Sequence, residues 1–275
     1  MGNSIKRILS DPRAWIAFGF LTFQYWILFN PQLPYLERPT HLVIALLLTF
    51  LMVPMDHGRI PKPLAHALHA LFLVGTLAVG AYYWLERSRL ETRIELVSPI
   101  EWYDVAIAIT LVVLLIEAVR RTVGNILVAV LVVFLLYGLF GHLLPGAIGF
   151  GKISVTEWSE ILAMTTSGIL GVTTETSVNF IFYFIVFGVV YSAVGGGELF
   201  IDIAMRMVGK TRGGAAKVAI IGSSLMGTIS GSAVANVTAT GVFTIPLMRR
   251  TGMSAERAAA TEAIASTGGQ LMPPI

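Results

Sequence analysis

The sequence contains no cysteine and is poor in charge. The absence of cysteine excludes disulfides, thiol catalysis and Cys-ligated metals. Charged residues make up 13% of the 275 residues, which is about half of their usual share in a soluble domain. The formal net charge is +3 and there is no basic stripe with interleaved aromatic residues, so nucleic acid is not expected as a partner.

Apolar residues dominate instead. They form 55% of the chain and give a mean hydropathy of +0.77. These values predict an all-α, polytopic membrane protein. A bilayer is crossed by about 20 residues of helix, and six apolar runs predict spans: residues 15–29, 41–55, 63–85, 104–118, 123–140 and 177–194. The first run is followed by Asn30 and Pro31 and not by a small-residue cleavage site, so it is interpreted as a retained span and not as a removed signal.

The Lys and Arg residues predict the orientation, because cytoplasmic loops of membrane proteins are enriched in them. With a cytoplasmic N-terminus, 14 of the 19 lie on the inner side if the chain between Lys217 and Arg249 enters and leaves the membrane on that side, and 11 if it crosses once. The charge pattern therefore favours a re-entrant hairpin. Two amphipathic segments, residues 154–170 and 198–208, predict helices at the outer and the inner membrane interface.

The stretch GTISGSAVANVTATG (227–241) is rich in polar and small residues, whereas the flanking sequence is apolar. It predicts a hairpin of two half-helices, residues 215–226 and 233–248, with its tip at 227–232. The carbonyl ends of the first half-helix suit a cation, and the free N–H groups of the second suit a carboxylate. Secondary transporters build ion sites from such discontinuous helices. The predicted cation-site residues here are Gly227, Thr228, Ser230, Ser232 and Asn236.

A second polar break is predicted where STGGQLMPP (266–274) follows a helix over residues 254–265. Two prolines cannot continue a helix, and a preceding glycine pair permits unwinding. Small residues in membrane helices also serve as packing surfaces, so packing remains the alternative to a binding site at both breaks.

Five segments together resemble one family, the permeases of tripartite ATP-independent periplasmic (TRAP) transporters, in the fused form that pairs with TAXI-type binding proteins. They are SGSAVANVTATGVFTIPLMRRTG (230–252), EAIASTGGQLMPP (262–274), GKTRGGAAKVAIIGSSLMGTISGS (209–232), GILGVTTETSVNFIFYFIVFG (168–188) and LIEAVRRTVG (115–124). The last of these resembles the join between a small-subunit-like region, residues 1–121, and the N-terminal part of the large transport subunit, residues 122–275. The family continues for further spans, so the chain is expected to be a fragment that does not transport alone.

The resemblance implies a sodium-coupled, elevator-type importer in the bacterial inner membrane. Such a permease receives a small organic anion, a carboxylate, from a periplasmic TAXI-type binding protein and uses neither ATP nor a cofactor besides Na⁺. By the same resemblance, the hairpin residues Ser230, Gly231, Ser232 and Asn236 hold sodium, and the break residues Ser266, Thr267, Gly268 and Gly269 form a second site or face the substrate.

Other readings of the residues stay open. Glu175 and Glu262 are candidate intramembrane carboxylates, suited to proton coupling or to a structural hydrogen bond. A channel or another hairpin-containing ion-coupled transporter, without a binding protein, is the alternative function.

Three further motifs carry little weight. Gly209-Lys210-Thr211 lacks the earlier glycine and the strand of a phosphate-binding loop. His66 and His69 are one helical turn apart, but no further metal ligands are assured. A serine hydrolase would need a histidine base near Ser230 or Ser232, and no histidine follows His142, so the protein is not expected to be an enzyme.

Overall fold

The computed structural model describes residues 10–55, 61–229 and 233–272. In these ranges all regular secondary structure is helical, which confirms the all-α fold class. The α-helices are α1 (Pro12–Phe29), α2 (Pro34–Met52), α3 (Lys62–Thr92), α4 (Trp102–Thr122), α5 (Asn125–Phe140), α6 (Val155–Ala163), α7 (Val172–Thr176), α8 (Phe182–Ala193), α9 (Gly196–Val208), α10 (Gly214–Gly227), α11 (Ala233–Arg250) and α12 (Ala255–Gly269). Two 3₁₀ turns (Gly141–Leu143 and Gly146–Ile148) follow α5, and a π-helical turn (Ser177–Ile181) joins α7 to α8.

Five helical segments of the described chain are long and apolar enough to cross a membrane. They are α2, α3, α4, Asn125–Leu143 and Val172–Tyr191. They correspond to five of the six predicted spans and support a multi-pass membrane protein. The third span is longer than predicted, because α3 continues from residue 85 to Thr92.

The first predicted span is not one of these five. Residues 15–29 do form a helix, α1, but it begins with Pro12 and Arg13 and carries Gln24 in its middle, which lowers its apolar character. Gln24 is fully buried and its side chain contacts the His41 ring of α2. The helix was predicted correctly, but it is not among the helices that are apolar enough to cross a membrane.

The two predicted amphipathic segments are helical. In the first, Ser154 caps α6 through a reciprocal capping box with Glu157, and the helix ends at Ala163, well before the predicted residue 170. The second forms α9, which buries Ile201 and Ala204 against Val218 of α10. The polar residues of α9 lie on its other face, as an interfacial helix requires.

The chain divides into two compact units, residues 1–178 and 179–275. This structural boundary falls in the π-helical turn and not at residue 121, where the sequence resembles a join between subunits. In the first unit, α2, α3 and α4 pack around Phe50, Leu111 and Leu114, and Met164 and Leu170 belong to the same core.

Buried hydrogen bonds fix the segment that follows α6 within the first unit. The hydroxyl groups of Tyr83 and Tyr35 donate to the carbonyls of Ala163 and Met164 at 2.5 and 2.8 Å. Arg93 forms an ion pair with Glu160 at 3.1 Å, and both side chains are almost fully buried. A buried ion pair is costly to break on one side only, because the remaining charge stays desolvated.

We therefore expect Arg93→Met to destabilise the first unit by about 3 kcal/mol, because it leaves Glu160 buried without its cation. The measurement is the free energy of unfolding in mixed micelles. The control is Lys152→Met, which removes an exposed charge in the same unit. Equal stabilities of the two variants would contradict the prediction.

Candidate functional site

Small residues bring three helices of the second unit into close contact. Helix α10 begins after Gly213, whose φ of 71° lies in the left-handed region that favours glycine, and its buried residues include Ala219, Gly222 and Gly227. A Cβ atom on Gly227 would lie only 2.2 Å from the carbonyl oxygen of Gly269 in α12. The backbones of α10 and α12 therefore touch, a contact that only glycine permits at this position.

A buried carboxylate lies between these helices. Glu262 of α12 is fully buried, and its Oε1 accepts hydrogen bonds from Thr240 Oγ1 at 2.6 Å, Ser266 Oγ at 3.1 Å and Ser223 Oγ at 3.3 Å. Its Oε2 accepts from the Thr244 hydroxyl. The four hydroxyls come from α10, α11 and α12, so one side chain links all three helices. We call Glu262 and these four residues the carboxylate cluster.

Asn236 connects this cluster to the end of α10. Its Nδ2 donates to the carbonyl oxygen of Ser223 at 2.8 Å, and its side chain is buried. Its own carbonyl accepts from Thr240 Oγ1 at 2.9 Å. Asn236, Thr240 and Thr244 are spaced four residues apart and form a polar stripe along one face of α11.

The structure brings together five of the predicted site residues. Glu262 is the centre of the carboxylate cluster, and Gly227, Asn236, Ser266 and Gly269 are buried and lie in or beside it. A Cβ on Gly269 would lie 2.5 Å from Asn236 Nδ2, which shows how closely the two predicted regions approach. The predicted residues Ser230, Gly231 and Ser232 lie outside the described residues.

The remaining predicted residues lie outside the cluster. Thr228 follows α10, is half-buried and donates to the Leu225 carbonyl at 2.6 Å. Thr267 is exposed and donates to the carbonyl of Ala263 at 2.7 Å in its own helix, and a Cβ on Gly268 would meet no atom within 4 Å. Glu175 belongs to the first unit, where it forms an ion pair with Arg38 at 3.0 Å and is partly exposed.

The hairpin helices agree with prediction, but the second break does not begin where it was expected. Helices α10 and α11 were predicted at 215–226 and 233–248 and are found at Gly214–Gly227 and Ala233–Arg250. Helix α12, however, continues through Ser266–Gly269, so these residues are helical and unwinding can start only after Gly269. Packing of Gly269 against Gly227 and Ser223 favours the helical form over the intrinsic preference of glycine for irregular backbone.

Sequence reasoning missed Ser223, Thr240 and Thr244. The available signal was spacing: Asn236, Thr240 and Thr244 recur every four residues, and Glu262 and Ser266 do the same on the next helix. Two polar stripes at helical spacing in adjacent apolar helices predict a shared polar contact.

The carboxylate cluster contains no ion pair among the described residues. In the described parts of the chain, no Lys, Arg or His forms an ion pair with Glu262. Carboxylate and hydroxyl oxygens are hard ligands that suit hard cations. The arrangement is therefore chemically suited to a small cation and unsuited to an anion. The two histidines considered for a metal have other contacts: His66 Nδ1 lies 2.7 Å from the Lys62 carbonyl, and His69 Nδ1 lies 3.2 Å from Arg121 Nη1.

Several apolar spans combined with a buried carboxylate cluster next to a helical hairpin are features of membrane transport proteins. Comparison with known proteins agrees with this class. Residues 110–275, more than half of the chain, match the family described as the DctM component of tripartite ATP-independent periplasmic transporters. The chain belongs to this family, which is a family of transporter permeases.

Two curated relatives match a shorter segment. A Haemophilus influenzae protein named as a TRAP transporter large permease is 35% identical over 92 residues, and the 2,3-diketo-L-gulonate TRAP transporter large permease of Escherichia coli is 30% identical over 92 residues. Each match covers 34% of this chain and 22% of the relative, so the chain matches about a fifth of the length of these relatives. No solved structure matches the chain.

The glycine contacts give a prediction with a built-in control. Gly269→Ala should destabilise the second unit by about 1–3 kcal/mol, because the added Cβ would overlap Asn236 Nδ2 and the Ser223 carbonyl. Gly268→Ala should leave stability unchanged or slightly raise it, because its Cβ enters open space and alanine favours helix. Thermal unfolding of the two variants in detergent tests this, and an equal loss in both would refute the close contact.

Proposed function

We propose that this chain is the permease component of a sodium-coupled, binding-protein-dependent secondary importer of small organic anions. The observation that carries the proposal is the family match over residues 110–275, which contains the whole carboxylate cluster. Family membership supports transport of a solute delivered by a periplasmic protein. The cluster supports coupling to a cation, because its oxygens come from a carboxylate and neutral hydroxyls.

The proposed cation site at the hairpin tip uses Gly227 and Asn236 together with Ser230, Gly231 and Ser232. What supports it is the position of Asn236, which ties the start of α11 to the Ser223 carbonyl near the end of α10. Carbonyl groups at the end of α10 carry partial negative charge and attract a cation. Ser266 and Gly269 lie close to these residues, and the exposed Thr267 and the half-buried Gly268 are proposed to face the substrate.

The substrate and partners are proposed from the family. The E. coli relative is named for 2,3-diketo-L-gulonate, a sugar acid, which supports a carboxylate as the substrate class. A TAXI-type periplasmic binding protein is the proposed partner, and elevator motion of residues 122–275 against a scaffold formed by residues 1–121 is the proposed mechanism. The start of the family match at residue 110 supports a change of subunit type near that join. We place the N-terminus in the cytoplasm of a bacterium and the spans in its inner membrane.

The test is uptake of a labelled organic acid into proteoliposomes that contain the permease, expressed from its complete reading frame. We expect saturable uptake that requires both an inward sodium gradient and the binding protein, with no requirement for ATP. Replacing sodium with choline is the control for coupling. Uptake that does not saturate, or that proceeds without the binding protein, would favour the alternative of a channel or an unrelated ion-coupled transporter.

Asn236→Ala tests the tip site. The variant should raise the sodium concentration for half-maximal uptake by about tenfold, the effect of losing about 1.4 kcal/mol of binding free energy. The physical reason is the lost hydrogen bond to the Ser223 carbonyl, which positions the start of α11. Asn125→Ala at the exposed start of α5 is the matched control. Unchanged sodium activation in Asn236→Ala, with normal uptake in the control, would remove Asn236 from the proposed site.

A further inference from the structure

Four carboxylates are buried in the described parts of the chain, and one of them differs from the rest. Asp104, Glu117 and Glu160 each form an ion pair with arginine, at 2.5, 2.7 and 3.1 Å. Glu262 is as deeply buried as any of them and has no ion pair in the described residues. Its four contacts are to hydroxyl groups, which carry no net charge.

The elements packed around Glu262 direct their charged groups elsewhere. On α10, the Lys217 Nζ donates to Thr211 Oγ1 at 3.2 Å near the start of the helix. The charged groups at the ends of α11 and α12 and those of α9 are exposed, whereas Glu262 is fully buried, and none of them forms an ion pair with it. They are Arg249, Arg250, Glu256, Arg257, Glu198, Asp202 and Arg206.

Two of the hydroxyls that contact the carboxylate also have a helix carbonyl within reach. Thr244 has one hydroxyl hydrogen but two acceptors within reach, Glu262 Oε2 and the Thr240 carbonyl at 3.1 Å. Thr240 likewise has one hydrogen for Glu262 Oε1 at 2.6 Å and the Asn236 carbonyl at 2.9 Å. An ionised carboxylate takes both hydrogens, and each carbonyl then keeps only its backbone N–H donor within the helix. A bound positive charge at the carboxylate frees the hydroxyls to donate to the helix carbonyls.

We propose that Glu262 binds one positive charge, a sodium ion or a proton, as a coupling-cation site beside the proposed tip site, with Thr240 and Thr244 as positioning residues. An isolated buried carboxylate is strongly unfavourable, and either cation removes that cost. As a proton, the charge would sit on Oε2 and donate to Thr244 Oγ1. As a sodium ion, it would take the carboxylate and hydroxyl oxygens as ligands. The inference rests on the proposed transport function only in calling this cation the coupling ion.

The experiment measures cation binding by the purified permease, expressed from its complete reading frame, and needs no transport. Thermal unfolding is followed against sodium at constant ionic strength with choline, and infrared difference spectra between Glu262→Gln and wild type report the carboxyl group. Glu256→Gln, at an exposed position on the same helix, is the matched control.

Two results support the proposal and identify the cation. If the charge is sodium, sodium raises the Tm of wild type and of Glu256→Gln, whereas Glu262→Gln loses this rise. If the charge is a proton, wild type and Glu262→Gln show the same dependence of Tm on sodium. The difference spectrum then contains the C=O stretch of a protonated carboxyl group. Sodium stabilisation that is equal in wild type and Glu262→Gln, together with the bands of an ionised carboxylate, would overturn it.

If Glu262→Gln does not fold, Thr244→Val tests cation binding at Glu262 instead, because it keeps the carboxylate and the shape of the substituted side chain. The proposal expects either about a tenfold higher half-stabilising sodium concentration, corresponding to about 1.4 kcal/mol, or a shifted protonated C=O band. A variant identical to wild type in both signals would overturn the assignment. Absence of uptake by wild type, with either of the two signals present, would count against the proposed importer and not against the cation site at Glu262.

Discussion

The second unit depends on one constraint: a carboxylate lies where water cannot reach it. Burying such a group is tolerated only when hydrogen bonds and opposite charge replace its hydration. Glu262 therefore accepts hydrogen bonds from hydroxyls on three helices, among them one from Thr240 at 2.6 Å. The register of α11 against α12 follows from it, because a shift of one residue would turn Thr240 and Thr244 away from the carboxylate.

Close backbone packing makes this arrangement possible. The glycine contact between α10 and α12 allows the two helices to approach until Asn236 spans the remaining gap to the Ser223 carbonyl. Larger residues at Gly227 or Gly269 would separate the helices and lengthen every hydrogen bond of the cluster. Packing and ion binding were considered as alternatives for these small residues, and here they are compatible: the glycines pack so that the oxygens can converge.

The sequence predicted those parts that local chemistry decides. Half-helix bounds were correct to within one residue at each end of α10, because glycines and the apolar run between them are local signals. The threonines of α11 were missed because a threonine in a helix commonly donates to its own backbone. Only the position of α12 shows that Thr240 and Thr244 also reach a carboxylate. The extension of α12 to Gly269 likewise depends on a tertiary contact with Gly227, which no local pattern contains.

The two units use buried charge in different ways. In the first unit, arginines neutralise Asp104, Glu117 and Glu160 within the protein itself, so these carboxylates serve the stability of a fixed structure. Among the described residues of the second unit, the contacts to Glu262 are all from hydroxyls, and these also bond to a helix backbone or to a neighbouring hydroxyl. Under the proposed function, an arriving cation redistributes those hydroxyl hydrogens between the carboxylate and the backbone. Ion occupancy and helix packing are then linked, because the same groups determine both, and differential binding to two packing states is what couples an ion to a conformational change.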